Sequence, residues 1–252
     1  MKEVLLTALG VGGATVIGAL LGFIIKNPSH KLNDIILSFA AGVMLAAAAL
    51  GLIIPALDMG GNFAVLTTIL GIFVGATCLH LIDKLVPHLH KLGGIDDESH
   101  PEKSTNLNKV LLFVIAIAIH NLPEGIAAGV SFGSGDTAQA ISVSLGIALQ
   151  NIPEGMVIIA PMIAAGVPKG RTFIIALMTG LVEVVGTFIG YFAVSLSTLI
   201  LPFALAFAGG TMLYVISDEM IPETHSHGNE RAATYTLLLG FSVMLAFDYL
   251  IG

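Results

Sequence analysis

Charge is what this chain has least of. Only 11% of its 252 residues are Asp, Glu, Lys or Arg, against about 25% in a soluble domain. Its one cysteine, Cys78, excludes an internal disulfide and a cysteine-built metal cage. Ten Lys and Arg against 17 Asp and Glu give a formal charge of −7, and no basic patch exists to bind nucleic acid. There is no HExxH motif, and no serine–histidine arrangement stands out. What fills the space is apolar: 56% hydrophobic residues and 29 glycines, with a mean hydropathy of +0.95. Glycine is more frequent in membrane helices than in soluble ones. The composition implies an all-α integral membrane protein.

A span needs about 20 predominantly apolar residues. Eight segments qualify, at roughly 4–25, 35–57, 63–86, 109–132, 137–163, 170–191, 197–220 and 232–250. The first could pass for a signal peptide, but its apolar run is too long and no small-x-small cleavage site follows. Most connections are short. The exception is the polar stretch 87–108. No second domain is visible, so residues 1–252 read as a single polytopic membrane domain.

Lys26, Lys31, Lys84, Lys91, Lys103, Lys109, Lys169, Arg171 and Arg231 all fall in the odd-to-even connections, and only Lys2 lies on the other side. The positive-inside rule then puts those connections, including the 87–108 loop, in the cytoplasm and both termini outside.

Two of the apolar segments are interrupted in the same way, by HNLPEG at 120–125 and QNIPEG at 150–155. On a helix of 3.6 residues per turn, Glu124 falls between His120 and Asn121, so imidazole, amide and carboxylate share one arc. Pro123 has no N–H, which frees the carbonyl of Ile119 for a ligand or water. Gln150, Asn151, Glu154 and Pro153 repeat the design and free the carbonyl of Leu149. A short connection makes the fourth and fifth segments antiparallel neighbours, so the motifs meet at one depth. A third acid, Glu183 in LMTGLVEVVGTFIG, lies near the middle of the sixth segment.

A charged residue at a helix centre costs roughly 3 kcal/mol on insertion scales, so three glutamates amount to about 9 kcal/mol. No Lys or Arg sits at matching depth. Protonation, water or a bound cation remain as offsets. Carboxylate, imidazole and amide oxygens together suit divalent transition metals such as Zn²⁺, Fe²⁺ or Mn²⁺, and two facing glutamates can bridge a pair of ions. The bland alternative is a pair of proline-containing helices with polar residues as interhelical glue. Two copies of the motif and a third acid weigh against it.

With these residues the chain resembles the ZIP (Zrt/Irt-like) family of metal-ion transporters, along essentially its whole length and with the short loops of prokaryotic members. The resemblance implies an eight-helix bundle with both ends outside. It implies import of divalent metal, most often Zn²⁺, toward the cytoplasm through a site midway across the membrane between the fourth and fifth helices. By motif, one ion would be held by His120, Glu124, Gln150 and Glu154, with Met44 in FAAGVMLAAA approaching it. A second, in a binuclear centre, would use Asn121, Asn151 and Glu183 and share Glu124 and Glu154. Many members carry a second histidine where this chain has Gln150, and some an aspartate where it has Asn151. These departures bear on zinc selectivity and on occupancy of the second site. Fe²⁺, Mn²⁺ and Cd²⁺ stand beside Zn²⁺ as substrates. The cell membrane is the expected location, no resident cofactor is expected, and a homodimer is allowed.

Other polar residues carry weaker readings. Asp58 could attract cations outside or be an ordinary helix-end acid. His80 and Asp83 could line an exit route or form an interfacial pair. Asp218, Glu219, Glu223, His225 and His227 gather at the tail of the seventh segment, to receive departing metal or as a solvated end. His88, His90, Asp96, Asp97, Glu98 and His100 could buffer metal in the long loop or belong to a plain linker. Met156, Met162 and Met178 read as packing or lipid-facing residues. Asp248 lies near the outer surface. Glycine pairs at i and i+4, Gly18 with Gly22, Gly125 with Gly129 and Gly186 with Gly190, permit close helix approach within or between subunits. Two rival functions remain: a proton-coupled carrier of another cation, and an intramembrane metal-dependent hydrolase.

Overall fold

The computed structural model describes residues 1–25, 29–92 and 101–251, with backbone alone at 83, 85–92, 101–113, 116, 134 and 198. The described residues are helical almost throughout, with no strand among them. Eight long helices follow in order: α1 Lys2–Ile24, α2 His30–Met59, α3 Ala64–Leu92, α4 Pro101–Ser131, α5 Thr137–Ala164, α6 Lys169–Leu196, α7 Leu201–Thr224 and α8 Glu230–Ile251. Seven of them, all but α4, contain segments apolar and long enough to cross a membrane among the described residues. Their outward faces carry large apolar side chains such as Leu20, Phe73, Val185, Phe192 and Leu239. A continuous sleeve of this kind belongs in lipid.

The expected eight segments are all present. Two boundaries move. Helix runs to Leu92 and resumes at Pro101, so both ends of the expected 87–108 loop are helical. Polarity alone does not stop a helix, and proline is suited to a first helical position. The seventh helix begins at Leu201 rather than 197, because Pro202 fits its first turn and the preceding Thr198–Ile200 is a short 3₁₀ turn. Lys26, Asp96, Asp97, Glu98 and His100 lie outside the described residues, as do the side chains of Asp83, His88 and His90.

Local chemistry sets the short connections. Ser29 caps α2 by accepting from the Leu32 N–H at 3.2 Å, and Asp136 caps α5 through the Gln139 N–H at 3.1 Å. Gly135 and Gly166 turn the chain at φ of 78° and 83°, a left-handed conformation that a Cβ disfavours.

Four helices form one group: α1 packs on α5 and α6, and α4 packs on α6. In the other group α3 packs on α7, and α2 on α8. Exchanging α1 with α6, α2 with α7, α3 with α8 and α4 with α5 converts α1–α5 into α4–α6 and α3–α7 into α2–α8, and leaves α1–α6 unchanged. The repeated motifs on α4 and α5 thus sit at the centre of an internal pseudo-symmetry, an arrangement common among transporters.

Glycine makes the first group tight. A Cβ added at Gly186 would lie 2.6 Å from the Leu122 carbonyl oxygen, and one at Gly125 would run into that of Glu183. Gly18 of α1 meets the Ile152 backbone in the same way, and Gly155 of α5 meets that of Thr15. The glycine pairs seen in the sequence are therefore used within the chain.

The second group has its own device. α2 widens into π-helical turns over Ala47–Ile53, and α7 over Ile216–Met220. In both, an isoleucine N–H bonds five residues back, Ile54 to Ala49 and Ile221 to Ile216, immediately before a proline. The proline ring would clash with the carbonyl four residues earlier in a regular α-helix, and the wider turn gives it room.

Candidate metal-transport site

α4 and α5 run through Pro123 and Pro153 as continuous helices, and carry most of the site between them. Asn121, Glu124, Gln150 and Asn151 are fully buried, as is Glu183 on α6. His120 and Glu154 are nearly so.

The expected residues fall into three linked groups. In the first, Gln150 Nε2 donates to Glu124 Oε1 at 2.6 Å and joins the two motifs directly. In the second, Glu183 accepts from Asn121 Nδ2 at 2.6 Å and from Asn151 Nδ2. Its Oε1 also accepts from the Thr15 hydroxyl of α1 at 2.6 Å. In the third, His120 Nε2 lies 2.8 Å from Glu219 Oε1 of α7. His120, Glu154 and Glu219 line one cavity of about 480 Å³, together with Asp218, Glu223 and apolar residues that include Leu37 and Val157. This cavity opens at the end of the bundle that holds the α7–α8 turn.

Met44 is fully buried in the apolar core where Ala127, Ile147 and Met212 also pack. It is not part of the cavity wall. On the far side of the motifs the bundle is closed. Gly51 meets the Val143 side chain, Gly146 meets Met244, and Ser142 donates to Asp248 at 3.4 Å.

Among the described residues no three His, Cys, Asp or Glu side chains stand together as a ready ion cage. The amides supply what the acids lack. Asn121 Oδ1, Asn151 Oδ1, Gln150 Oε1 and Glu124 Oε2 are buried and have no hydrogen-bond partner. All four are acceptors. Leaving such an atom unpaired in a dry interior costs about 1–3 kcal/mol, and a cation is what a set of unpaired oxygens lacks.

Two residues that matter here were not singled out for the site. Glu219, one of the α7 tail residues read either as receiving departing metal or as a solvated end, is brought to His120 by the π-helical turn. Its signal is the proline three residues on, Pro222. Thr15 is a hydroxyl on the glycine-rich face of α1, between Gly12 and Gly18; that placement is its only signal. The remaining tail residues divide. Asp218 and Glu223 reach the cavity. His225 bonds instead to the Ile221 carbonyl at 2.8 Å, and His227 lies 2.9 Å from buried Asp34 and stacks on His30. His80 is not on the cavity either; it faces the Tyr214 hydroxyl at 2.9 Å. Asp58 is exposed at the other end of the bundle. Met162 is buried and Met178 exposed on the apolar surface, as packing and lipid-facing residues should be.

The comparisons with known proteins agree with this architecture. Residues 96–248 match the ZIP zinc transporter family. The chain is 41% identical to the zinc transporter GufA of Myxococcus xanthus, over 98% of each chain. It is 38% identical to the zinc transporter ZIPB of Bordetella bronchiseptica, over 95% of this chain and 78% of that one. With the zinc transporter ZIP11 of Homo sapiens the identity is 31%, over 99% of this chain and 97% of the other. Such coverage sets the hydrolase reading aside: this multi-pass membrane chain belongs to the ZIP family of zinc transporters.

Proposed function

We propose that this chain imports divalent transition-metal ions, Zn²⁺ foremost, into the cytoplasm through a site between α4 and α5. The observation that carries the proposal is the set of four buried oxygens without donors on Asn121, Glu124, Gln150 and Asn151. An ion there replaces its lost water with these oxygens and with the carboxylate of Glu154 and imidazole of His120. A site rich in oxygen donors and poor in nitrogen also admits Fe²⁺, Mn²⁺ and Cd²⁺.

The distribution of basic residues supports a topology with the 1–2, 3–4, 5–6 and 7–8 connections in the cytoplasm and both termini outside, in the cell membrane. The single membrane unit is then held in an inward-facing state. The cavity leads from Glu154 and His120 past Glu219 toward Asp218 and Glu223, a path of acids from the site to the cytoplasm. An ion leaving Glu154 meets a carboxylate at each step.

The test is zinc uptake into proteoliposomes by wild type and Glu154→Ala. Saturable uptake lost in the variant supports the site. Equal uptake by both overturns it.

A further inference from the structure

The apolar sleeve is indented along one seam. A groove of about 570 Å³ runs between α1 and α5, and Phe247 of α8 joins its wall. Ligand sites commonly measure about 300–1,000 Å³. Along α1 the groove reaches from Leu6 to Ile17, and along α5 from Ile141 to Ile152. Each stretch rises about 17 Å at 1.5 Å per residue. Both stretches begin one turn inside the helix start, at Lys2 and Thr137, and end at the depth of QNIPEG. The groove thus runs from one membrane surface to the middle, and half of a hydrocarbon core is about 15 Å thick.

Its lining asks for nothing polar. No charged residue lines it, and the Ser144 hydroxyl donates to the Ala140 carbonyl of its own helix at 2.7 Å. The rim residues Leu6, Ile17, Leu145 and Phe247 are exposed, so the groove is continuous with the surface that faces lipid. Small residues make its depth. Gly12 and Gly18 press on the backbones of α6 and α5, whereas a Cβ added at Gly10 would meet no atom within 4 Å. Gly10 therefore serves no helix contact and leaves space instead, which Ala14 and Ala148 extend. Lys2 and Glu3 stand about one turn before Leu6. With one charge of each sign, the mouth makes no demand on the charge of a lipid head group.

We propose that this groove holds one acyl chain of a membrane phospholipid, inserted from the leaflet on the side of the α1 N-terminus, the outer leaflet in the proposed topology. Water has no polar partners there to hold it, and an empty groove forfeits dispersion contacts along its whole length. A hydrocarbon chain that spans one leaflet has the length and the chemistry to fill it. The chain bridges the two helix groups, touching α1 and α5 on one side and Phe247 of α8 on the other. It also lies against the turn of α1 that meets the motifs: Val11, in the groove wall, accepts from Asn151 Nδ2 through its carbonyl at 3.2 Å. The seat itself does not depend on the metal site.

The protein has no tryptophan, so a single introduced indole reports on its own surroundings. Phe247→Trp keeps an aromatic ring at the rim. Purified full-length Phe247→Trp in detergent is titrated with phosphatidylcholine brominated on its acyl chains, which quenches nearby indole fluorescence. Leu239→Trp, on an exposed position of the same helix outside the groove, is the reference. Quenching of Phe247→Trp is expected to saturate with one lipid per chain, while that of Leu239→Trp keeps rising with lipid. Gly10→Phe and Gly10→Leu, added to Phe247→Trp, fill the groove. Each is expected to raise the half-saturating lipid concentration about tenfold or more, the equivalent of displacing two buried methylenes. Gly13→Phe, at a glycine equally open to a Cβ but outside the groove, should leave it unchanged. Quenching of Phe247→Trp that follows Leu239→Trp without saturating shows bulk lipid alone and overturns the proposal. So does saturable quenching that neither Gly10 variant weakens. Quenching by brominated stearic acid and not by the brominated phospholipid assigns the groove to a free fatty acid and overturns phospholipid as the occupant.

Discussion

Gly186→Ala tests whether helix spacing holds the site together. Gly186 lies one turn after Glu183 on α6. A Cβ there would stand 2.6 Å from the Leu122 carbonyl oxygen and 3.1 Å from the Gly125 Cα. Both neighbours are backbone, so no side chain can swing aside. α4 and α6 must part by roughly 1 Å to reach an ordinary contact of about 3.5 Å. The Asn121–Glu183 hydrogen bond, now 2.6 Å, spans the same gap and would stretch to the edge of bonding distance. Overpacking alone costs about 1–3 kcal/mol, and a weakened bond to a charged group adds up to about 1.5–3 kcal/mol. For a chain of this size each kcal/mol lowers Tm by about 2–4 °C, so a fall of several degrees is expected in detergent, with reduced zinc uptake. Gly13→Ala is the control, since nothing stands within 4 Å of its added Cβ; it should match or exceed wild type, because alanine favours helix. If Gly186→Ala melts with wild type and transports fully, the close α4–α6 approach does not position Glu183.

Three further outcomes are expected. Metal ligands must be deprotonated to bind, so zinc uptake should fall as external pH drops from about 7.5 to about 5.5, a range in which histidine takes up a proton; a rise at constant membrane potential would contradict competition between proton and metal. Glu219→Gln removes the carboxylate 2.8 Å from His120 Nε2 and should slow uptake by about tenfold or more, the equivalent of one hydrogen bond to a charged group, with zinc stoichiometry intact in calorimetry; unchanged uptake would remove Glu219 from the exit path. Asp34→Ala cuts the buried carboxylate from Asn229 Nδ2, 2.8 Å away, and from His227. It should destabilise the link between α2 and the α7–α8 turn by about 1–3 kcal/mol, seen as a lower Tm, and leave the zinc KM unchanged.

What the sequence showed, and what it hid, follows from the range of each signal. The eight helices were legible because hydropathy accumulates over twenty residues and survives errors at either end. The α4–α5 motifs were legible because the three polar residues of each, at i, i+1 and i+4, share one arc of a helix. The Gln150–Glu124 and Asn121–Glu183–Asn151 bonds were only half legible: the residues could be named, but their pairing depends on helix rotations set by Gly125, Gly186 and Gly155 against opposing backbone. The contact of Glu219 with His120 was hidden for a different reason. A regular helix turns about 100° per residue, and the π-helical stretch Ile216–Met220 inserts one residue into that count. Every face after the insertion is displaced, so Glu219, one of the acids gathered at the helix tail, comes to rest beside His120. The same widening occurs in α2 before Pro55, the counterpart of Pro222 under the pseudo-symmetry. There it passes through Ala47, Ala48 and Gly51, residues with no donor to offer, packed where the bundle is closed against α5. One backbone device thus has two local outcomes, and the side chain at its turn separates them. In α7 an acid opens toward the cavity. In α2 small apolar residues seal the opposite end.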